Sequence, residues 1–289
     1  MPDYDVIKYK RPDGVEINLS EPPYLTIGYD GFGIGEFQST TVSPPGSHGE
    51  YWYDTRMGAK VVTVQFAYLG DGVPERQGSR ADVVDMFNPL LGPGTLRIDQ
   101  VNGVSRELRC ILAESLPLPS DDFQGVGYYE TQVRFKSHGI PAFVDPTINV
   151  FELDFNQTPG NFLFPWTFPR IFAQSGFGSS PIVTNIGSME TPVHIEIVGP
   201  ATNPIFKNVT TDRQISLPGL TLLTGQVLVI DTDPENYVVQ VDGADVWNYL
   251  DEVQMWGLVK GDNQLLFDIG GTTISTVGSV QWYTRYLGQ

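Results

Sequence analysis

The residues best placed to do chemistry are two carboxylates, Glu152 and Asp154, in the segment 151–155 with sequence FELDF. Strict alternation predicts a strand there, with Phe151, Leu153 and Phe155 on one face and both carboxylates on the other. A glycosidase needs such a pair, one group as acid and the other as base or nucleophile. Polar residues two apart on any solvated strand face share that arrangement, so the pair is expected to solvate a sheet rather than to cleave a bond. The run Asp231, Asp233, Glu235 faintly suggests a calcium loop. An EF-hand needs Gly at its sixth position and Glu at its twelfth, where this chain has Asn236 and Asp242. The three histidines, His48, His138 and His194, are far apart, and no HExxH, GxSxG or CxxC pattern occurs. Metalloprotease, hydrolase and redox chemistry therefore lose their anchors. Gly31, Gly33 and Gly35 lack both the spacing and the lysine of a phosphate loop. Cys110 is the single cysteine, so no intrachain disulfide can form, and its place between apolar strand residues reads as an inert core thiol. No catalytic residue, metal or cofactor is expected, and the chain is read as a non-enzyme.

The elements that would carry these residues are mostly strands. Apolar content of 40% with 12% aromatic residues is enough for real cores, and 31 Gly with 22 Pro suits short strands joined by tight turns. Strands are predicted at 15–19, 24–28, 60–68, 95–101, 106–114 and around the alternation Tyr129, Thr131, Val133, Phe135. From residue 182 onward short strands recur at 192–199, 205–209, 215–217, 227–231, 237–241, 265–269 and 279–286, the rhythm of an antiparallel sandwich. The turn-rich stretch His138-Gly139 to Pro146 marks a boundary, giving domains 1–146 and 147–289. Segment 161–172 is aromatic and proline-rich, and is expected to pack near that boundary. No run of about 18 apolar residues appears, and the segment MPDYDVIKYKRPDG has no apolar core of a signal peptide, so membrane insertion and signal-directed export are not expected.

Net charge is −17. Residues 1–146 carry 12 basic and 20 acidic side chains, and residues 147–289 carry 5 and 14. Affinity for nucleic acid comes largely from cations displacing counterions, so sequence-specific binding to DNA or RNA is not expected. An acidic surface instead repels a polyanion, which would let it slide past without sticking.

One segment, 79–119, is distinctive. Ser79 with Asp82 reads as a helix start, Val83, Val84 and Phe87 give an apolar face, and Pro89 ends the element. Gly92-Pro93-Gly94 turns the chain into one strand, and Asn102-Gly103 predicts a two-residue hairpin into the next, Arg-rich strand. This order of helix, Asn-Pro, glycine turn, leucine strand, Asn-Gly turn and Arg-rich strand resembles the N-terminal domain of siphophage distal tail proteins. The resemblance continues through Phe135 and Val144-Asp145-Pro146. It resumes at 182–185, Ile197-Val198-Gly199-Pro200, Asn203-Pro204, 228–233, 257–263 and 282–288, which look like the galectin-like C-terminal domain of the same family.

The resemblance implies a split β-barrel-like ring domain with one short helix, followed by a galectin-like antiparallel β-sandwich. It implies a structural virion protein, made in the host cytoplasm, that forms a homo-hexameric ring at the tail tip and lets DNA pass. Its partners would be the tail tube protein, the tail-tip hub or tail-associated protein, and receptor-binding proteins. The glycine-rich, aromatic segment 31–58 would be the arm that laps onto a neighbouring subunit, with Phe37, Tyr51, Trp52, Tyr53 and Arg56 at the contact. Trp166 and Trp247 are the expected partner platform, within a second domain that would project outward. A true galectin reads sugar with His, Asn and Arg at alternate strand positions and a stacking Trp followed by Glu and Arg. Here His194 is followed by Glu196 and Val198, and Trp247 by Leu250 and Asp251, so the sugar site is expected to be lost and Trp247, Trp256 and Trp282 to serve core or interface. The alternative function is a carbohydrate-binding β-sandwich adhesin or baseplate subunit that contacts host glycans.

Overall fold

The computed structural model describes residues 4–46, 48–69, 81–117, 128–155, 178–251 and 254–289. They form two compact units. The first holds residues up to Pro146 together with Tyr286–Gln289, and the second holds Thr147–Arg285. The final four residues, assigned by sequence to the second domain, thus belong to the first.

The first unit is built from β1 (Val6–Lys10), β2 (Glu16–Asn18), β3 (Tyr24–Asp30), β4 (Phe37–Val42), β5 (Tyr51–Met57), β6 (Val61–Leu69), β7 (Gly94–Asp99), β8 (Ser105–Leu112), β9 (Tyr128–Ser137) and the first residues of β10 (Phe143–Asp154). The strands pair antiparallel, in the order β2-β1-β7-β8-β9-β6-β3, with β10 sharing the β8 edge at Val144↔Glu107. The alternation that predicts strands is read directly as burial: in β7, Gly94, Leu96 and Ile98 face inward and Thr95, Arg97 and Asp99 outward. The inward rows meet in one core of Ile7, Tyr9, Phe66, Leu96, Leu108, Phe135 and their neighbours. Each such side chain contributes about 1.5–3 kcal/mol by leaving water. The barrel is split, not closed. Where β2 and β3 leave the gap, side chains bridge it: the Thr26 hydroxyl donates to the Leu19 carbonyl at 2.8 Å and lies 3.0 Å from the Ser20 hydroxyl.

A helix over 81–86 caps this core. Val83, Met86 and Phe87 are buried while Val84 is exposed, so the apolar face runs through Met86 rather than Val84. Residues three and four apart share a helix face, and adjacent ones do not. Asn88 adopts an extended conformation before Pro89 and its side chain accepts from the Leu90 N–H, which starts the 3-10 turn Pro89–Leu91. The helix start expected at Ser79 lies outside the described residues. The Asn102-Gly103 turn also differs from expectation. Gln100 and Val104 are still paired, and Gly103 (φ +85°) donates back to the Gln100 carbonyl, which gives a three-residue loop with glycine in the left-handed position.

The second unit contains the rest of β10, then β11 (Gly178–Ser179), β12 (Ile182–Asn185), β13 (Thr191–Pro192), β14 (His194–Val198), β15 (Ala201–Asn208), β16 (Arg213–Ser216), β17 (Thr221–Leu222), β18 (Val227–Asp231), β19 (Val238–Val241), β20 (Ala244–Asp245), β21 (Gly257–Leu258), β22 (Gly261–Gly270) and β23 (Val277–Tyr286). One sheet runs β10-β23-β14-β18-β19-β20. The other centres on β22, with β11 and β12 on one edge and β15, then β16, on the other. Ile195, Ile197, Leu228 and Ile230 from the first sheet and Phe206, Leu265, Phe267 and Ile269 from the second fill a common core. This is an antiparallel β-sandwich. Among the described residues, no helix is long and apolar enough to cross a membrane.

Candidate functional site

Among the described residues, strands β4 and β5 pair only with each other, as a two-stranded ribbon within 31–58. Their register runs Phe37↔Met57, Gln38↔Arg56, Ser39↔Thr55 and Thr40↔Asp54, then shifts by one residue to Thr41↔Trp52 and Val42↔Tyr51. Tyr53 is the extra residue of this bulge. No side chain on either strand is buried, and Trp52 and Tyr53 are 69% and 76% exposed. All five residues singled out in this segment, Phe37, Tyr51, Trp52, Tyr53 and Arg56, therefore stand together on one uncovered ribbon. Large aromatic rings held in water are costly to a chain on its own.

The feet of the ribbon are fixed firmly. Gly31 sits at φ +88° against the Val61 carbonyl, and Phe32 stacks on Phe143 with centroids 5.5 Å apart. Gly58 N–H donates to Glu36 O at 2.8 Å. Lys60 is 0% exposed. Its ammonium donates to the Gly33 carbonyl and, at 2.7 Å, to the Leu287 carbonyl, and lies 4.5 Å from the centre of the Phe143 ring. Burial pushes it down to about 8 from a usual 10.5. The Gln289 N–H donates to Phe32 O at 2.9 Å, and Tyr286 is covered by the Arg106 guanidinium at 3.8 Å from its ring centre. Residues 286–289 thus form a strap across the ribbon's base. Neither Lys60 nor the strap is signalled by the sequence, since the contacts join residues 27 and 227 positions apart.

In the second unit an open groove of about 740 Å³ is lined by Thr211, Asp212, Arg213, Tyr237, Trp247, Gln254 and Met255. Trp247 begins the 3-10 turn Trp247–Tyr249 and is 39% exposed. Trp256 is buried and donates its Nε1–H to Phe206 O at 3.1 Å, and Trp282 is buried as well. Trp166 lies outside the described residues, as does segment 161–172.

The other candidates do no visible chemistry. Glu152 and Glu196 border a shallow cavity of about 380 Å³ with Ser279, and the side chain of Asp154 lies outside the described residues. Asp231 and Asp233 are engaged in turn and ion-pair contacts: Asp231 Oδ1 accepts from the Asp233 N–H at 2.9 Å, and Arg285 pairs with Asp233 at 2.9 Å. His194 Nδ1 lies 3.5 Å from Asp231 Oδ2, and this carboxylate holds the imidazole above the ordinary histidine value. Burial pushes the Cys110 thiol up to about 12. Among the described residues no group of three or more His, Cys, Asp or Glu is poised to hold a metal.

Comparison with known proteins follows the same division. Residues 186–286 match the family model described as the siphovirus-type tail component, C-terminal domain. No curated protein matches the sequence. The crystal structure of the Dit protein of phage SPP1, described as a paradigm of the hub adsorption apparatus in phages infecting Gram-positive hosts, aligns with a TM-score of 0.67. The alignment covers 97% of this chain and 99% of the other at 12% identity. The chain has the fold of a siphophage distal tail protein. Two structures of the phage P2 baseplate in its activated conformation, one with Ca and one with Sr, align with TM-scores of 0.52 and 0.53. Identity there is 10% and 9%, over 96% of this chain and 97% of the other in each case. The family match thus falls, but for Tyr286, within the second unit, while the structural matches share the fold of the whole chain.

Proposed function

We propose that this chain is the distal tail, or baseplate hub, subunit of a long-tailed phage: a structural component of the virion and not an enzyme. Six copies close into a ring that joins the tail tube to the tail-tip adsorption apparatus, and the genome passes through it. The observation that carries this reading is end-to-end agreement, over 97% of this chain and 99% of the SPP1 hub protein, together with the tail-component match in residues 186–286. Residues 1–146 supply the ring wall and the β4–β5 ribbon laps onto the next copy. The second unit supplies the platform for tail-tip and receptor-binding proteins. An excess of 17 negative charges lets DNA pass without adhering. A head-to-tail contact repeated by rotation closes on itself and leaves no unpaired sheet edge.

Light scattering after size exclusion tests this reading. The expected species is about six times 32.0 kDa. A monomer that persists at high concentration and in the presence of tail tube protein overturns the ring. A carbohydrate-binding role is the second reading, favoured by the groove beside Trp247 with its half-exposed Tyr237. Aromatic faces with polar groups beside them suit a sugar ring. Its signature is glycan-array binding that disappears in Trp247→Ala, and an array without signal removes it.

A further inference from the structure

The groove of the second unit is assembled from three separate stretches of chain. The first supplies Arg213, where β16 begins, with Thr211 and Asp212 from the turn before it. That turn is pinned, because Asn208 Oδ1 accepts from the Thr210 N–H at 3.1 Å and Lys207 pairs with Asp212 at 2.6 Å. The second supplies Trp247, Gln254 and Met255. Its backbone is fastened to β16, where the Asp251 N–H donates to Ser216 O at 3.1 Å and the Gln254 N–H to Gln214 O at 3.2 Å. The third supplies Tyr237, which follows a turn closed by the Asn236 N–H on Asp233 O at 2.9 Å. Two half-exposed aromatic rings thus reach one groove from unrelated parts of the sequence. Among the described residues, the Tyr237 hydroxyl, the Trp247 Nε1–H and the Gln254 side-chain amide are not spent on hydrogen bonds within the chain.

We propose that this groove binds an uncharged saccharide. The inference rests on the carbohydrate reading above and deepens it by naming the class of glycan that fits. None of the groove residues stands on β14 with His194, Glu196 and Val198, so this is not the strand on which a true galectin reads its sugar. Small-molecule sites span roughly 300–1,000 Å³, and this one is about 740 Å³. A sugar ring presents an apolar C–H face, which suits Tyr237 and Trp247. It also presents a rim of hydroxyls, each donor and acceptor, which suits the phenol, the indole N–H and the amide. A purely apolar ligand would strand those groups. Charged ligands find no open counterpart, because Asp212 is held by Lys207 and Arg213 by Glu190 at 3.4 Å. Residues 147–289 carry 14 acidic against 5 basic side chains, so an acidic glycan is repelled, and a cationic one must compete with Lys207. A peptide is disfavoured for another reason. Extended segments bind by adding to a free strand edge, and here Asp251 and Gln254 already donate to that edge of β16.

The test is a glycan array probed with the full chain at low and at high salt. It carries neutral oligosaccharides of hexoses and N-acetylhexosamines beside the same skeletons bearing carboxylate, sulfate or free amino groups. The expected signal is strongest on the neutral set and is unchanged by salt, since it uses no ion pair that salt could screen. Trp247→Ala and Tyr237→Ala should each lower it by at least about tenfold. Gln254→Leu keeps the bulk of the side chain and removes only the amide, so it tests the polar rim while leaving both rings in place, and it should lower the signal too. All three positions line an open groove, and melting midpoints should hold. Signal on charged glycans equal to or above the neutral signal overturns the neutral class and leaves the carbohydrate reading standing. Neutral signal that all three variants keep places the sugar on another surface and overturns this site. An array with no signal on any member removes the carbohydrate reading and this inference together.

Discussion

Lys60→Ala is expected to destabilise the first unit by about 3–5 kcal/mol, seen as an early transition in calorimetry. The substitution deletes a fully buried stem and leaves the Gly33 and Leu287 carbonyls without their donor. Each stranded acceptor costs about 1–3 kcal/mol, and the cavity adds to it. Lys60→Met separates the two contributions by keeping the volume and losing only the donor, and about half the effect should remain. The pH dependence has a definite sign. Burial lowers the folded-state value to about 8 against a usual 10.5, so the unfolded chain binds more protons between those limits. Stability contributed at this site therefore rises with pH through that window and is lowest below about 8. Wild type should gain on Lys60→Met as pH climbs from 8 toward 10.5. A flat difference between them would show that the ammonium is not desolvated.

Gly31→Ala is the second large effect, at about 3 kcal/mol or more. A Cβ at Gly31 would stand 2.1 Å from the Val61 carbonyl oxygen and 3.0 Å from Val62 Cα, at φ +88°. Neither atom belongs to a flexible side chain, so the start of β6 must move, and β6 is paired along its length to β9. Gly103→Ala is the control. Its φ is +85° but nothing lies within 4 Å of the added carbon, so only the left-handed strain of about 1–2 kcal/mol is expected. Equal melting midpoints for the two variants would refute the steric account of Gly31.

Local pattern carried much of this fold. Alternation in 129–135 and in 194–197 is enough to place strands, because side chains that alternate in polarity can satisfy one buried and one wet face in only one way. The ribbon could be read because aromatic residues were interleaved with glycine, serine and threonine over 31–58. What stayed hidden depended on distant parts of the chain. A lysine heading an apolar run reads as exposed until Gly33, Phe143 and Leu287 are known to surround it. Val84 looked apolar enough for the helix face, yet one turn holds only a few inward positions and Met86 took that place. The side on which each ribbon residue lies was equally out of reach, since it depends on a one-residue shift in pairing between Thr40 and Thr41.

The strap formed by residues 286–289 also sets an order in time. A ribosome delivers the chain from its first residue onward, and domains generally fold as they emerge. The first unit cannot be completed on that schedule, because its closing residues arrive only after the entire second unit has been made. Until then Lys60 lacks one of its two acceptors and the base of the ribbon is unfastened. Nascent chains crowded on one message thus carry a ribbon whose base is not yet held by Lys60 and the strap.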